Sequence, residues 1–231
     1  MLTDYINKLK EDIRFQEGLT ACMNCGVCTA ICPAAGYFDY DPRKVCQEVQ
    51  SGDDERIHSL LNSDTIWMCG QCLSCKTRCP RNNTPGYVIQ ALRKISQETG
   101  AFINSRLGRQ QLLLKRVIGH SVLETGYCVH PKLVVPEQHP EQGPVWQWAC
   151  ENGDKLYHHL GSNYYKTGEG GVRLIEKETL DELRSIFDET GATRLFDQIE
   201  QASAKKAKEM RLSFSDDNDN EYCSAIMNEK M

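Results

Sequence analysis

Apolar residues along this chain recur at intervals of three and four rather than two. The pattern predicts amphipathic helices and offers no convincing half-buried strand. The opening TDYINKLKEDIRF puts Tyr5, Leu9 and Ile13 on one face, with Thr3 as N-cap. In DPRKVCQEV, Asp41 is placed to cap, and Pro42 suits the first helical position, where its missing N–H costs nothing. ERIHSLL spaces Ile57, Leu60 and Leu61 for a further short helix. TPGYVIQALRKISQETG repeats the proline-initiated start at Thr84 and Pro85, turns Val88, Leu92 and Ile95 inward, and stops at Gly100. RLGRQQLLLKRVIGHSVLETG at 106–126 predicts one more helix.

Past residue 126 the periodicity fades. Residues 127–175 carry prolines and aromatics without a repeat, which predicts an irregular arm. Periodicity returns in ETLDELRSIFDETG, with Leu180, Leu183 and Phe187 on one face and Gly191 closing the turn, and TRLFDQIEQASAKKAKEM follows. Together they predict a helical hairpin within 176–212. The last segment, 213–231, is polar and acidic and is expected to be a flexible tail. The expected organisation is therefore mostly α, with a first domain over 1–126, an arm over 127–175, a hairpin over 176–212 and a tail over 213–231.

Two stretches interrupt the helical pattern with cysteine. CMNCGVCTAICP at 22–33 is answered by CGQCLSCKTRCP at 69–80. Adding 47 to Cys22, Cys25, Cys28 and Cys32 gives Cys69, Cys72, Cys75 and Cys79, and each run ends in Cys-Pro. The match suggests two half-units facing each other across a pseudo-twofold axis. A tight Cys-x-x-Cys-x-x-Cys loop can aim three thiolates at three corners of a cuboidal iron–sulfur cluster but cannot reach the fourth. In this spacing the cysteine before proline serves the other cluster of a two-cluster protein. The expected metal ligands are Cys22, Cys25, Cys28 and Cys79 for one [4Fe–4S] cluster, and Cys69, Cys72, Cys75 and Cys32 for the second. Structural zinc pairs two separate Cys-x-x-Cys knuckles and would leave the third cysteine of each loop without a role. Gly26, Thr29, Gly70 and Ser74 are small enough to let backbone amides approach the sulfides. Trp67 and Met68 either shield the second cluster or simply belong to the core.

The 231 residues carry a net charge of -5, which argues against a general nucleic-acid binder. No window reaches the ~18 consecutive apolar residues of a membrane span. The charged N-terminus lacks the apolar centre of a secretory signal. The expectation is a cytoplasmic chain whose thiols are kept reduced, so that clustered cysteine means metal rather than disulfide. Cys46 sits in a helical pattern and reads as a small core hydrophobe. Cys128, Cys150 and Cys223 have neither cluster spacing nor an adjacent base. The adjacent His158 and His159 diverge on any regular element. Trp146, Trp148, Tyr164 and Tyr165 are either partner anchors or packing for their own arm. With no flavin, nicotinamide or P-loop fingerprint, the chain reads as an electron conduit and not an enzyme in its own right.

Two CxxCxxCxxxCP runs joined by a helical connector of 36 residues resemble the α-helical ferredoxin fold. Within it, the chain resembles the iron–sulfur C-subunit of heterodisulfide reductase, including the relatives found in sulfur oxidation. The resemblance covers roughly 1–125, and ETLDELRSIFDETGATRLFDQIEQ looks like the terminal hairpin of such proteins. It implies two [4Fe–4S] clusters and a complex. A flavoprotein partner would exchange electrons with this chain, which would relay them to or from a second partner that carries CCG motifs and the active site. CCG does not occur here, so the disulfide or sulfur chemistry is expected in that partner. The length of the arm and tail favours the sulfur-oxidation version. The competing assignments are the iron–sulfur subunit of a quinone-linked dehydrogenase and a free-standing two-cluster ferredoxin. Deleting 176–231 is expected to leave both clusters in place but to weaken assembly.

Overall fold

The computed structural model describes residues 4–138 and 142–228. It is mostly α-helical, and none of the described residues lies in a β-strand. The helices are α1 (Tyr5–Glu11), α2 (Ile13–Gly18), α3 (Val27–Ala30), α4 (Pro42–Gln50), α5 (Asp54–Leu61), α6 (Pro85–Glu98), α7 (Arg106–Arg109), α8 (Gln111–Leu114), α9 (His120–Thr125), α10 (Pro144–Glu151), α11 (Gly153–His159), α12 (Lys177–Glu189), α13 (Ala192–Met210) and α14 (Glu221–Asn228). Two compact units divide the chain: Met1–Gln111 with Asp197–Met231, and Leu112–Phe196. This division differs from the sequential one read from the pattern, because the C-terminal segment returns to the first unit.

In the first unit the cap expected at Asp41 is in place. Asp41 Oδ1 accepts from Arg43 N at 2.9 Å and Lys44 N at 3.3 Å, which starts α4 behind Pro42. Asp53 does the same for α5. Thr84 supplies no side-chain cap to α6; its amide instead donates to the Gly18 carbonyl at 2.7 Å. Gly100 ends that helix at φ 74°. The core gathers Leu9, Tyr40, Val45, Cys46, Val49, Ile57, Leu61, Ile66, Val88, Ile89, Leu92 and Ile95. Apart from Tyr40 and Ile66, these are the apolar stripes of the amphipathic helices α1, α4, α5 and α6. Gly18 lets α2 approach α6, for a Cβ there would stand 3.0 Å from Tyr87 Cβ and 3.1 Å from Val88 N.

The opening helix departs from expectation. It breaks at Asp12, whose carboxylate accepts from Arg14 N at 2.9 Å and pairs with Arg14 Nη2 at 2.6 Å. The Arg14 hydrogen bond holds Asp12 below the ordinary carboxylate range despite its burial. Because the break resets the helical phase, Ile13 points outward at 62% exposure while Leu9 stays buried. Asp4, not Thr3, caps α1 by accepting from Asn7 N; Thr3 lies outside the described residues. The helix expected over 106–126 is likewise interrupted, and a π-helical stretch occupies Lys115–Gly119.

The supposed tail is the second departure. Asn220 Oδ1 accepts from Cys223 N at 2.9 Å and starts α14, and Ser213 and Glu221 exchange hydrogen bonds that close the preceding loop. Tyr222, Cys223 and Ile226 are fully buried, and Gln110 Nε2 reaches the Ile226 carbonyl at 3.4 Å. These three buried side chains at helical spacing lie in a segment that is otherwise largely polar and acidic.

In the second unit the arm is not irregular throughout: α10 and α11 lie within it. His130, 2% exposed, faces the Tyr165 ring at 4.9 Å, Tyr164 stacks on Tyr157 at 4.7 Å, and Trp146 Nε1 donates to the Val134 carbonyl at 2.6 Å. Tyr164, Tyr165 and Trp146 thus pack their own unit, while Trp148 stays 55% exposed. The expected turn after α12 forms at Gly191, φ 79°, with Phe187 and Phe196 edge to face at 5.9 Å.

Because 197–231 belongs with the first unit, deleting 176–231 would take Tyr222, Cys223 and Ile226 out of that unit. Ile226→Ala should lower the free energy of unfolding by about 2–5 kcal/mol, as large-to-small changes in filled cores do. A denaturant midpoint unchanged from the parent would show that α14 does not pack there.

Candidate metal centres

Both cysteine loops adopt the same backbone course, and the residues at an offset of 47 share their special conformations. Asn24 and Gln71 have φ of 61° and 54°, and Gly26 and Leu73 have 79° and 58°. Positive φ alternating with ordinary backbone turns successive N–H groups toward one side and forms a concave anion-binding nest. A β-carbon disfavours this conformation by about 1–2 kcal/mol per residue. Three of the four positions nevertheless carry side chains, so the surrounding structure holds the loops in it. Gln71 N already donates to Cys69 Sγ at 3.4 Å. At Gly26, where a Cβ would meet nothing within 4 Å, glycine serves the backbone conformation and not the packing.

The loops are fastened at their bases. Asn83, buried to 3% exposure, accepts from Thr20 N at 2.9 Å and donates to the Ala21 carbonyl at 2.8 Å. It ties the chain after the second run to the chain before the first. Gln50 grips the first cysteine loop by accepting from Cys22 N and donating to the Cys22 carbonyl. Arg93 grips the second, donating Nη2 to the Cys69 carbonyl and Nε to the Ile66 carbonyl, both at 2.7 Å. Trp67 and Met68 pack against the core, and the Trp67 ring lies beneath the Arg93 guanidinium.

These fastenings leave two small hollows, one at each cysteine run. Cys22, Cys25, Cys28 and Cys79 line the first, beside Arg43, Cys46 and Asn83. Cys69, Cys72, Cys75 and Cys32 line the second, beside Tyr40, Gly86 and Ile89. Each hollow therefore takes three cysteines from one run and the last cysteine of the other. All eight are free thiols, with Cys25 and Cys72 the exposed members. Among the described residues no three His, Cys, Asp or Glu side chains converge closely enough to hold one metal ion. The thiols stand instead around the lining of the two hollows.

Sequence reasoning missed the polar atoms that face these hollows. Arg43 Nε in the first and the Tyr40 hydroxyl in the second are buried with no hydrogen-bond partner among the protein atoms. A buried donor left unmade costs roughly 1–3 kcal/mol, and sulfide or thiolate sulfur in each hollow would satisfy it. No motif marks either residue; their common signal is position, since Tyr40 directly precedes the helix cap and Arg43 directly follows Pro42. Burial pushes the Cys28 thiol up to about 11 and also raises Cys75. The hydrogen bond to Ser74 at 3.4 Å lowers exposed Cys72. Buried thiols lose their protons only to a strong Lewis acid, so the donor set fits iron–sulfur ligation. Cys46 is buried in the wall of the first hollow, and its thiol is raised well above the usual range by burial. Its counterpart in the second hollow is Ile89, which fits a packing role.

Known proteins resemble this chain in sequence. Residues 18–83 match the model of the 4Fe-4S dicluster domain. Over 184 residues the chain is 37% identical to the C-subunit of the ferredoxin:CoB-CoM heterodisulfide reductase of Methanosarcina acetivorans, covering 79% of this chain and 67% of that protein. A match of that length is longer than the 1–126 segment and takes in part of the chain beyond it. The second iron-sulfur C-subunit of the CoB–CoM heterodisulfide reductase of Methanocaldococcus jannaschii is 34% identical over 134 residues, covering 57% of this chain and 68% of that protein. The C2-subunit of the H(2)/formate:CoB-CoM heterodisulfide,ferredoxin reductase of Methanococcus maripaludis is 34% identical over 138 residues, covering 60% of this chain and 71% of that protein. Two four-cysteine hollows, the dicluster match and identity sustained beyond the cysteine runs lead to one assignment: the chain belongs to the C-subunit family of heterodisulfide reductase and is an electron-transfer protein carrying two [4Fe–4S] clusters.

Proposed function

We propose that this chain is a non-catalytic relay in a heterodisulfide reductase-like complex, passing electrons between a flavoprotein partner and a second partner that carries CCG motifs and acts on a disulfide. The ligands are Cys22, Cys25, Cys28 and Cys79 for one [4Fe–4S] cluster and Cys69, Cys72, Cys75 and Cys32 for the other. The observation that carries this reading is the pair of complete four-cysteine hollows. A cubane with a thiolate on every iron keeps no open coordination position for a substrate. Such a cluster exchanges electrons with its neighbours without binding the molecule that is finally reduced. The chain's own residues then act as insulation and support. Core side chains exclude water, the Asn83 clasp and the Gln50 and Arg93 grips hold the loops in place, and Arg43 Nε and the Tyr40 hydroxyl are aimed at cluster sulfur.

The relatives are named for reductases of a CoB–CoM heterodisulfide, which weighs for a disulfide over sulfane sulfur as the substrate class of the complex. The length of the arm and tail no longer favours sulfur oxidation, since 184 matched residues amount to only 67% of the Methanosarcina protein. None of the described helices is long and apolar enough to cross a membrane. A cytoplasmic setting would keep the eight thiols reduced for iron.

Affinity purification from native extract should bring down a flavoprotein and a CCG protein in fixed ratio with this chain. Recovery of the chain by itself, with its iron intact, would point to a free-standing ferredoxin instead. The ligand sets predict an asymmetry between single substitutions. Cys32→Ser should damage the cluster seated on 69–75 more than the one on 22–28, and Cys79→Ser should do the reverse. Iron content and the EPR spectra of the reduced variants read this directly, and damage confined to the substituted cysteine's own loop would refute the exchange of ligands.

A further inference from the structure

The two hollows are copies, so a charged residue with a neutral twin makes them unequal. The cysteine loops repeat at an offset of 47, but the connector after the second run is four residues shorter, and the helices that follow repeat at 43. Pro42 on α4 answers Pro85 on α6, Cys46 answers Ile89 in the walls, and Gln50 answers Arg93. The last pair does one job twice, each holding the backbone of the first cysteine in its loop: Gln50 at Cys22 and Arg93 at Cys69. One of them is neutral and the other cationic.

Arg93 is half-buried, with its guanidinium 5.3 Å from the Trp67 ring centroid and hydrogen bonds only to carbonyls. Among the described residues no carboxylate pairs with it. Burial pulls its pKa down while Cys69 and Tyr40 pull it up, and an arginine keeps its proton in either case. The first hollow has arginines too. Arg43, however, is paired with Asp41 at 2.8 Å, which cancels most of its field at a distance, and Arg81 is exposed, where water and salt screen it. An unpaired cation in a lower dielectric outweighs both. Reduction adds one negative charge to an already anionic thiolate-ligated cluster, so a nearby fixed cation favours the reduced form.

We propose that Arg93 sets the order of the two clusters, giving the one on Cys69, Cys72, Cys75 and Cys32 the higher reduction potential, so that an electron carried by this chain comes to rest there. The inference depends on the ligand sets proposed above. The electron arrives from a reduced protein partner and leaves to an oxidised one, with no change in the protein's bonds. Arg93 acts through charge and not through contact with a substrate, which makes it a positioning and tuning residue.

The test is a potentiometric titration of the iron-loaded protein followed by EPR. Cys25→Ser and Cys72→Ser each alter the exposed ligand of one cluster and so identify its signal. In the parent protein the signal that responds to Cys72→Ser should be the first to appear on reduction. Arg93→Gln, which installs the residue found at the twin position, should shift the sharing of an electron by tenfold or more toward the other cluster, or 59 mV for a one-electron couple. Arg93→Lys should keep most of the parent's spacing, a result that a purely structural role for the guanidinium would not give. Gln50→Arg should raise the potential of the cluster on Cys22, Cys25, Cys28 and Cys79. The proposal is overturned if the parent's first signal responds to Cys25→Ser. It also falls if Arg93→Gln retains its iron and leaves the spacing unchanged. Should Arg93→Gln lose iron, the parent's order and the Gln50→Arg shift decide. A parent protein without two cubane signals would overturn the ligand sets themselves, a different result from two signals in the wrong order.

Discussion

A loop of seven residues can offer three thiolates to a cube but cannot wrap round to its fourth corner. Much of the first unit follows from that limit. The missing thiolate has to come from elsewhere, and in this fold the last cysteine of the other run is at hand: Cys79 lines one hollow with Cys22, Cys25 and Cys28, and Cys32 the other with Cys69, Cys72 and Cys75. Two such loops must then be held face to face. Helices α4 and α6 pack against each other, Gly18 lets α2 close on α6, and Asn83 ties the two ends together.

The same limit accounts for the local cost at the site. Asn24, Gln71 and Leu73 of the two loops stand in the left-handed region, and half-burying Cys28 and Cys75 raises their thiols against ionisation. Neither feature helps an empty loop fold. Both suit a loop whose folding is coupled to the group it holds, since iron supplies the free energy that strained backbone and half-buried thiols withhold.

Internal repetition makes any departure from symmetry informative. Cys46 and Ile89 occupy twin places, and because isoleucine cannot ligate, packing suffices for both. Gln50 and Arg93 hold the same backbone position with different charge. Within the proposed relay, two clusters of one chemical type can stand at different potentials without any difference in their ligands.

The cysteine pattern was legible because ligation constrains spacing directly: two runs of fixed interval name the two clusters, and the structure lines each hollow with three cysteines of one run and the last of the other. The helices were legible where local signals decide them, at Asp41–Pro42, at Pro85 and at Gly100. The break at Asp12 was not, because an apolar period continues through it and only the Arg14 interaction interrupts the backbone. The order of the tail was hidden in the same way. Tyr222, Cys223 and Ile226 look sparse among acidic neighbours until a core receives them. Arg43, Tyr40 and Arg93 carry no motif at all, for their meaning lies in which atoms lack partners and which charge lacks a counter-charge. Covalent spacing and helix period therefore determined the fold class and the cofactor. The tertiary structure alone decided which polar groups face each cluster, because burial and distance are properties of the folded chain and of no segment within it.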